Sequence, residues 1–197
     1  MNNSFSFIFL GSTHGFLNDF EKQREWIIKV NPEFVLSEEL EDLKMESETE
    51  FKEFFKKKKV SRMTSFNEVK ELAILCFERG IKLIGIDFSN FGFNDNLQRV
   101  VKKQENPTKA EEEQIENLAN KRERYHLSKI LDYKNKTSKP IVIILGCWHL
   151  REGSLLRNKL KNYKIITPIG KNGKVLLSPE GAEGFRYGEI TSPNEKN

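Results

Sequence analysis

Two hydrophobic rhythms alternate along this chain. Short continuous apolar runs give way to longer stretches in which apolar side chains recur every three or four positions. The runs read as strands buried on both faces: Phe7 to Leu10, Phe34 to Ser37, Lys82 to Phe88, Ile141 to Gly146 and Lys164 to Ile169. The periodic stretches read as helices. One opens at Asn18 or Asp19 and is stopped by Asn31-Pro32. Residues 41–63 are weakly helical and heavily charged. Ser65 and Glu68 form a capping box for a helix that Gly80 closes. A short helix spans Leu97 to Lys103, and Thr108 with Glu111 opens a longer one reaching about Tyr133. A last helix covers Ser154 to Leu160. Gly170-Lys171-Asn172-Gly173 then turns the fifth strand back into Val175-Leu176-Leu177 as an antiparallel partner.

Strands joined through helices pair in parallel by right-handed crossovers. The expected fold is a single α/β domain over residues 1–190, with a mostly parallel central sheet, flanking helices and a C-terminal antiparallel hairpin. Residues 191–197 read as a disordered tail.

Parallel strands send their carboxyl ends to one rim, where open α/β sheets bind ligands. Two of the strands run into the same phrase, G-x-x-H: Gly11-Ser12-Thr13-His14 and Gly146-Cys147-Trp148-His149. The chain has three histidines, and two of them stand in this phrase. Glu38-Glu39 and Asp87 also fall just past strand ends, so His14, Glu38, Glu39, Asp87 and His149 converge on the rim. Arg122 and His126 lie one turn apart on the inward stripe of the long helix.

Nitrogen and carboxylate donors in such a set suit Zn, Mn, Fe or Co. A bound ion would activate water for attack on a carbonyl while a free glutamate takes the proton. The same residues also allow a metal-free route, in which a histidine or glutamate acts on water directly and Arg122 steadies the oxyanion. H-E-x-x-H, G-x-G-x-x-G, the P-loop pattern and G-x-S-x-G are all absent. Cys147 reads as a small buried residue, and Trp148 as a packing residue.

Composition bounds the partners. Among 197 residues, 33 basic against 29 acidic side chains leave a net charge of +4, which permits an anionic partner without demanding one. Two cysteines, and an apolar N-terminal run too short to span a bilayer, give the expectation of a reduced, cytoplasmic protein without a membrane partner. Phe54-Phe55-Lys56-Lys57-Lys58-Lys59 reads as an apolar stripe with a solvated basic face, or as a lid over the rim. Base stacking there is the lesser reading, so nucleic acid is not an expected partner. A peptide or small molecule is the expected substrate, and a homo-oligomer stays open.

The ordered set Gly11-Ser12-Thr13-His14, Glu38-Glu39, Asp87, Lys121 to His126 and Gly146-Cys147-Trp148-His149 resembles the TraB/PrgY–Tiki family. That family belongs to the superfamily that also holds erythromycin esterases, ChaN and GumN proteins. The resemblance spans Phe7 to Leu160. It implies His14, Glu38 or Glu39, Arg122 and His149 as site residues, with Asp87 beside them. Tiki proteins are regarded as metal-dependent peptidases, and erythromycin esterases as enzymes using a histidine-activated water. ChaN binds haem, and TraB/PrgY proteins are linked to peptide pheromone shutdown. Two positions depart from the family: Glu123 stands where Asp or Asn is usual, and His126 where Met is usual.

The combined expectation is a metal-dependent hydrolase of amide or ester bonds. His14, His149 and one of Glu38 and Glu39 would be metal ligands, the other glutamate a base, Arg122 the oxyanion partner, and Asp87 and His126 cofactor-binding groups. The rival expectation is a non-catalytic module that sequesters a peptide or haem.

Overall fold

A computed structural model describes residues 5–15, 17–103, 106–179 and 182–193. Its elements in chain order are β1 (Phe7–Ser12), α1 (Phe20–Val30), β2 (Phe34–Ser37), β3 (Lys44–Met45), α2 (Glu48–Phe55), α3 (Phe66–Glu78) and β4 (Lys82–Gly85). There follow α4 (Asp95–Lys103), α5 (Lys109–Lys134), β5 (Ile141–Gly146), α6 (Leu155–Lys159), β6 (Tyr163–Ile169) and β7 (Arg186–Thr191). Tight 3₁₀ turns at Glu38–Leu40, Ser89–Gly92 and Cys147–Leu150 leave the carboxyl ends of the central strands or follow them closely.

The seven strands form one sheet in the order β3-β4-β2-β5-β1-β6-β7. The inner five run parallel, and the edge strands β3 and β7 are antiparallel to β4 and β6. The fold is therefore α/β with a mostly parallel mixed sheet, flanking helices and a C-terminal β6–β7 hairpin.

Period-two alternation sorts each inner strand into two cores. Ile8, Leu10, Val35, Leu83, Val142 and Ile144 pack with Trp26 and Ile27 of α1, Phe51 and Phe54 of α2, and the apolar face of α3. Phe7, Phe9, Leu36, Ile84, Ile141, Ile143 and Leu145 pack on the opposite face against Ile130 and Tyr133 of α5 and Leu156 of α6.

Local signals explain most helix starts. The Glu68 carboxylate accepts from the Ser65 N–H. The Glu111 carboxylate accepts from both the Thr108 N–H and its hydroxyl. Asp19 does not cap α1 with its side chain. Its carboxylate accepts from the Thr13 N–H and hydroxyl and from the Tyr187 hydroxyl, joining the β1 loop to β7.

Two expectations about elements change. Val175 makes a single bridge to Ile169, and the strand paired along β6 is β7, eleven residues farther on than Val175. Gly188 lets β7 approach: a side chain there would collide with Ile169. The charged stretch 41–63 holds the edge strand β3 as well as α2. The aromatic–lysine patch is the expected apolar stripe with a basic solvated face: Phe54 is buried in the core and Lys56 to Lys59 are exposed, so Phe54 is not free to stack on a base. As for the expected tail, β7 runs through Thr191, the Ser192 N–H bonds the Tyr163 carbonyl, and residues 194–197 lie outside the described residues.

A candidate metal centre at the sheet rim

Glu38 is the hub of the rim. It opens the 3₁₀ turn after β2, whose cap is the Ser37 hydroxyl accepting from the Glu39 N–H. Its side chain is fully buried. Oε1 accepts from the Gly146 N–H at 2.7 Å and lies 3.1 Å from His14 Nε2. Oε2 takes no hydrogen bond, although it sits 3.5 Å from His149 Nε2 and 3.6 Å from Arg122 Nη2. Burial alone would push this carboxyl up. His149, His14 and Arg122 outweigh it and hold Glu38 well below the usual carboxylate range.

Gly146, at the end of β5, makes this approach possible. A side chain there would collide with His14 Nε2 and sit 2.9 Å from Glu38 Oε1. The glycine of the second G-x-x-H phrase thus makes room for the histidine of the first. Gly11 is equally confined, since a side chain would collide with Thr167.

His14 reaches the hub from the outside. It follows β1 in a left-handed conformation, φ 50°, and its side chain is 55% exposed. Burial opposes its charged form, but the hydrogen bond and charge of Glu38 prevail and raise it to about 9. Glu39 turns away from its neighbour and accepts from the Ser12 hydroxyl at 2.9 Å. Burial lifts its pKa above the ordinary value.

From the other side come the two remaining histidines. Asp87 accepts from Arg122 Nε and Nη2 in a bidentate pair and lies 3.0 Å from His126 Nε2. His126 is fully buried, and its Nδ1 has no partner. Arg122 also stacks over the Phe91 ring, 5.0 Å away, beside two left-handed residues, Asn90 and Phe91. His149 faces Glu38 with Nε2 and Glu123 Oε1 with Nδ1, at 3.4 Å. Burial lowers its pKa below the ordinary value.

One ligand atom each from Glu38, His126 and His149 lies within 4.8 Å of the other two, all three residues buried. The group can hold a metal ion. Comparisons with protein-family models, curated proteins and solved structures found no match to this chain.

The five strand-end residues do gather at one rim, and Arg122 and His126 join them. The buried group takes Glu38 and His149 from the expected ligand set, with His126 as its third member. His14 meets the other oxygen of Glu38, and Glu39 faces the cleft. Asp87 holds Arg122 and His126 in place.

Glu123 is the residue that sequence reasoning passed over. It is buried, accepts from Arg151 Nη1 at 2.6 Å and from the Leu155 N–H at 3.1 Å, and backs His149. Burial would raise it, but those partners bring it down to about 2. Its signal was its place beside Arg122 and three residues before His126, facing the same rim. Cys147 is buried, with Sγ 3.4 Å from the Thr167 hydroxyl. Trp148 is 38% exposed and lies under the Arg151 guanidinium.

Outside the hub opens a cleft of about 630 Å³, lined by His14, Glu39, Arg122 and Ser12 on the sheet side. Phe20, Leu72, Phe91 and Phe93 supply apolar walls. Met63 and Thr64, which follow the lysine run, line the same cleft, so this part of the 41–64 segment borders the site. Among the described residues no helix is long and apolar enough to cross a membrane.

Proposed function

We propose that this chain is a metal-dependent hydrolase of amide or ester bonds, with Glu38, His126 and His149 as ligands. The observation that carries the reading is the pairing of each buried histidine with a carboxylate: Asp87 for His126 and Glu123 for His149. Metal-bound histidines are oriented in this way through their second nitrogen. The unpartnered Glu38 Oε2 and His126 Nδ1 support it, because buried polar atoms without partners are costly unless a ligand satisfies them. Two nitrogens and one carboxylate suit zinc, iron, manganese or cobalt.

When bound, the ion supplies a water of lowered pKa and polarises a carbonyl. The chain's own groups do the rest. Glu39, on the cleft side with a raised pKa, takes the proton of the attacking water and passes it to the leaving group. Arg122 and the protonated His14 face the cleft as cations for the developing oxyanion. Ser12 fixes Glu39. The resemblance to the TraB/PrgY–Tiki family supports the same chemistry and a peptide-like substrate.

Elemental analysis after reconstitution with Mn, Co, Fe or Zn tests the assignment. One equivalent of metal is expected in the wild type and in His14→Ala, and none in His126→Ala or His149→Ala. A wild type that retains no metal overturns the metal half of the reading.

The rival, a module that sequesters a peptide or haem, draws on the half-exposed His14 at the mouth of a roomy, aromatic-walled cleft. Haem titration followed by its absorption band decides it, tight binding lost in His14→Ala being the rival's signature.

A further inference from the structure

A second cleft, of about 840 Å³, lies on the other flank of the rim, between the turn after β5, α6 and the loop after β6. Its charged lining is Arg151, Arg157, Lys171 and Lys174 against Glu152 and Glu183; with Arg151 paired to Glu123, three cations face two carboxylates, an excess of one positive charge. Arg157, Lys171 and Lys174 form no ion pair among the described residues. The Arg157 guanidinium makes one long hydrogen bond, Nη1 to the Leu150 carbonyl at 3.4 Å. Leu176, Leu177 and Ile190 add an apolar wall, of which Leu177 is 48% exposed.

We propose that this cleft binds a phosphate-bearing small molecule with an aromatic or apolar body. A phosphate monoester carries close to two negative charges at neutral pH, which suits the three cations of this cleft that have no carboxylate partner. A guanidinium and two ammonium groups are the usual recognition set for its oxygens. The apolar wall suits the body of such a molecule rather than free phosphate. The concave shape and volume fall in the range of small-ligand sites, whereas a nucleic-acid surface is an extended basic stripe. The site does not depend on the metal centre. The two meet only at Arg151, which lines this cleft, donates to Glu123 and stacks on Trp148.

Calorimetric titration with adenosine 5′-monophosphate tests the proposal, with adenosine and inorganic phosphate as comparison probes. Saturable binding is expected, falling with added salt, tighter than phosphate alone, and weakened about tenfold or more in Lys171→Glu/Lys174→Glu and in Arg157→Gln. Lys171 and Lys174 are exposed loop residues, so the double variant keeps the fold, and circular dichroism checks it. No saturable binding, adenosine binding as tightly as the nucleotide, or affinity kept in both the lysine and the Arg157 variants would each overturn the proposal.

Discussion

Glu123 shows how much of a site rests on residues that touch no ligand. Its carboxylate is held by Arg151 and the Leu155 N–H, so His149 meets a fixed partner. Replacing it with Ala should weaken metal binding about 10- to 100-fold, the usual cost of losing such a support. Glu123→Gln should recover part of that loss, since an amide oxygen can still accept from His149. Competition against a chromogenic chelator reads both. Gly146→Ala should be costly for a different reason. Its methyl meets His14 and Glu38 together, so the hub must spread, at about 1–3 kcal/mol of unfolding free energy. Urea denaturation measures that loss. These two residues also mark what the sequence could convey. His14, Glu38, Asp87 and His149 were legible because each ends an unmistakable strand. Arg122 and His126 were placed on the inward stripe of α5, but Glu123 was not read as a site residue, because the phase of a 26-residue helix with a weak apolar stripe does not decide which further neighbour turns inward.

Among elements, those with a strong period were readable and the edges were not. β5 occupies Ile141–Gly146, the full apolar run, and α5 starts at its capping box. β3 has two residues, too few for any period. β7 alternates little, being half-buried or exposed throughout, and carries a glycine at its centre. Tertiary pairing with β6 makes it a strand, and local preference does not. Side-chain contacts tie this edge to the rest: Lys164 pairs with Glu189, and the Tyr187 hydroxyl donates to Asp19, which also receives Thr13. Tyr187→Phe should therefore cost about 1 kcal/mol, a typical loss for one buried hydrogen bond, and should raise amide exchange in β7.

Whole-molecule behaviour follows from the completeness of the two cores. Cys76 is fully buried in the core beneath α3, and burial pushes its thiol up to about 12 from an ordinary value near 9. Between those values the unfolded chain gives up a proton that the folded chain keeps. Stability from this group is therefore full below pH 9 and declines as pH rises above it. Native protein should leave Cys76 unmodified by a thiol reagent at pH 8, and urea should release it at the rate of global unfolding. Rapid labelling under native conditions would show that the α3 core opens locally.

The strand that ends at Gly146 lies between β2 and β1, although it follows both in the chain by about a hundred residues. A nascent polypeptide emerging from the ribosome therefore makes β1 and β2 long before the strand that joins them. Until residue 146 is out, the first half must leave a gap one strand wide, and a direct β1–β2 pairing would have to be undone. Glu38 gains its Gly146 partner, and His149 gains Glu38, only at that late insertion. Such long-range closure is slow. The order of synthesis thus makes the rim cluster a by-product of a late step of sheet assembly, with only β6 and β7 still to follow, so chains stalled before Ile141 carry His14 and Glu38 without a site.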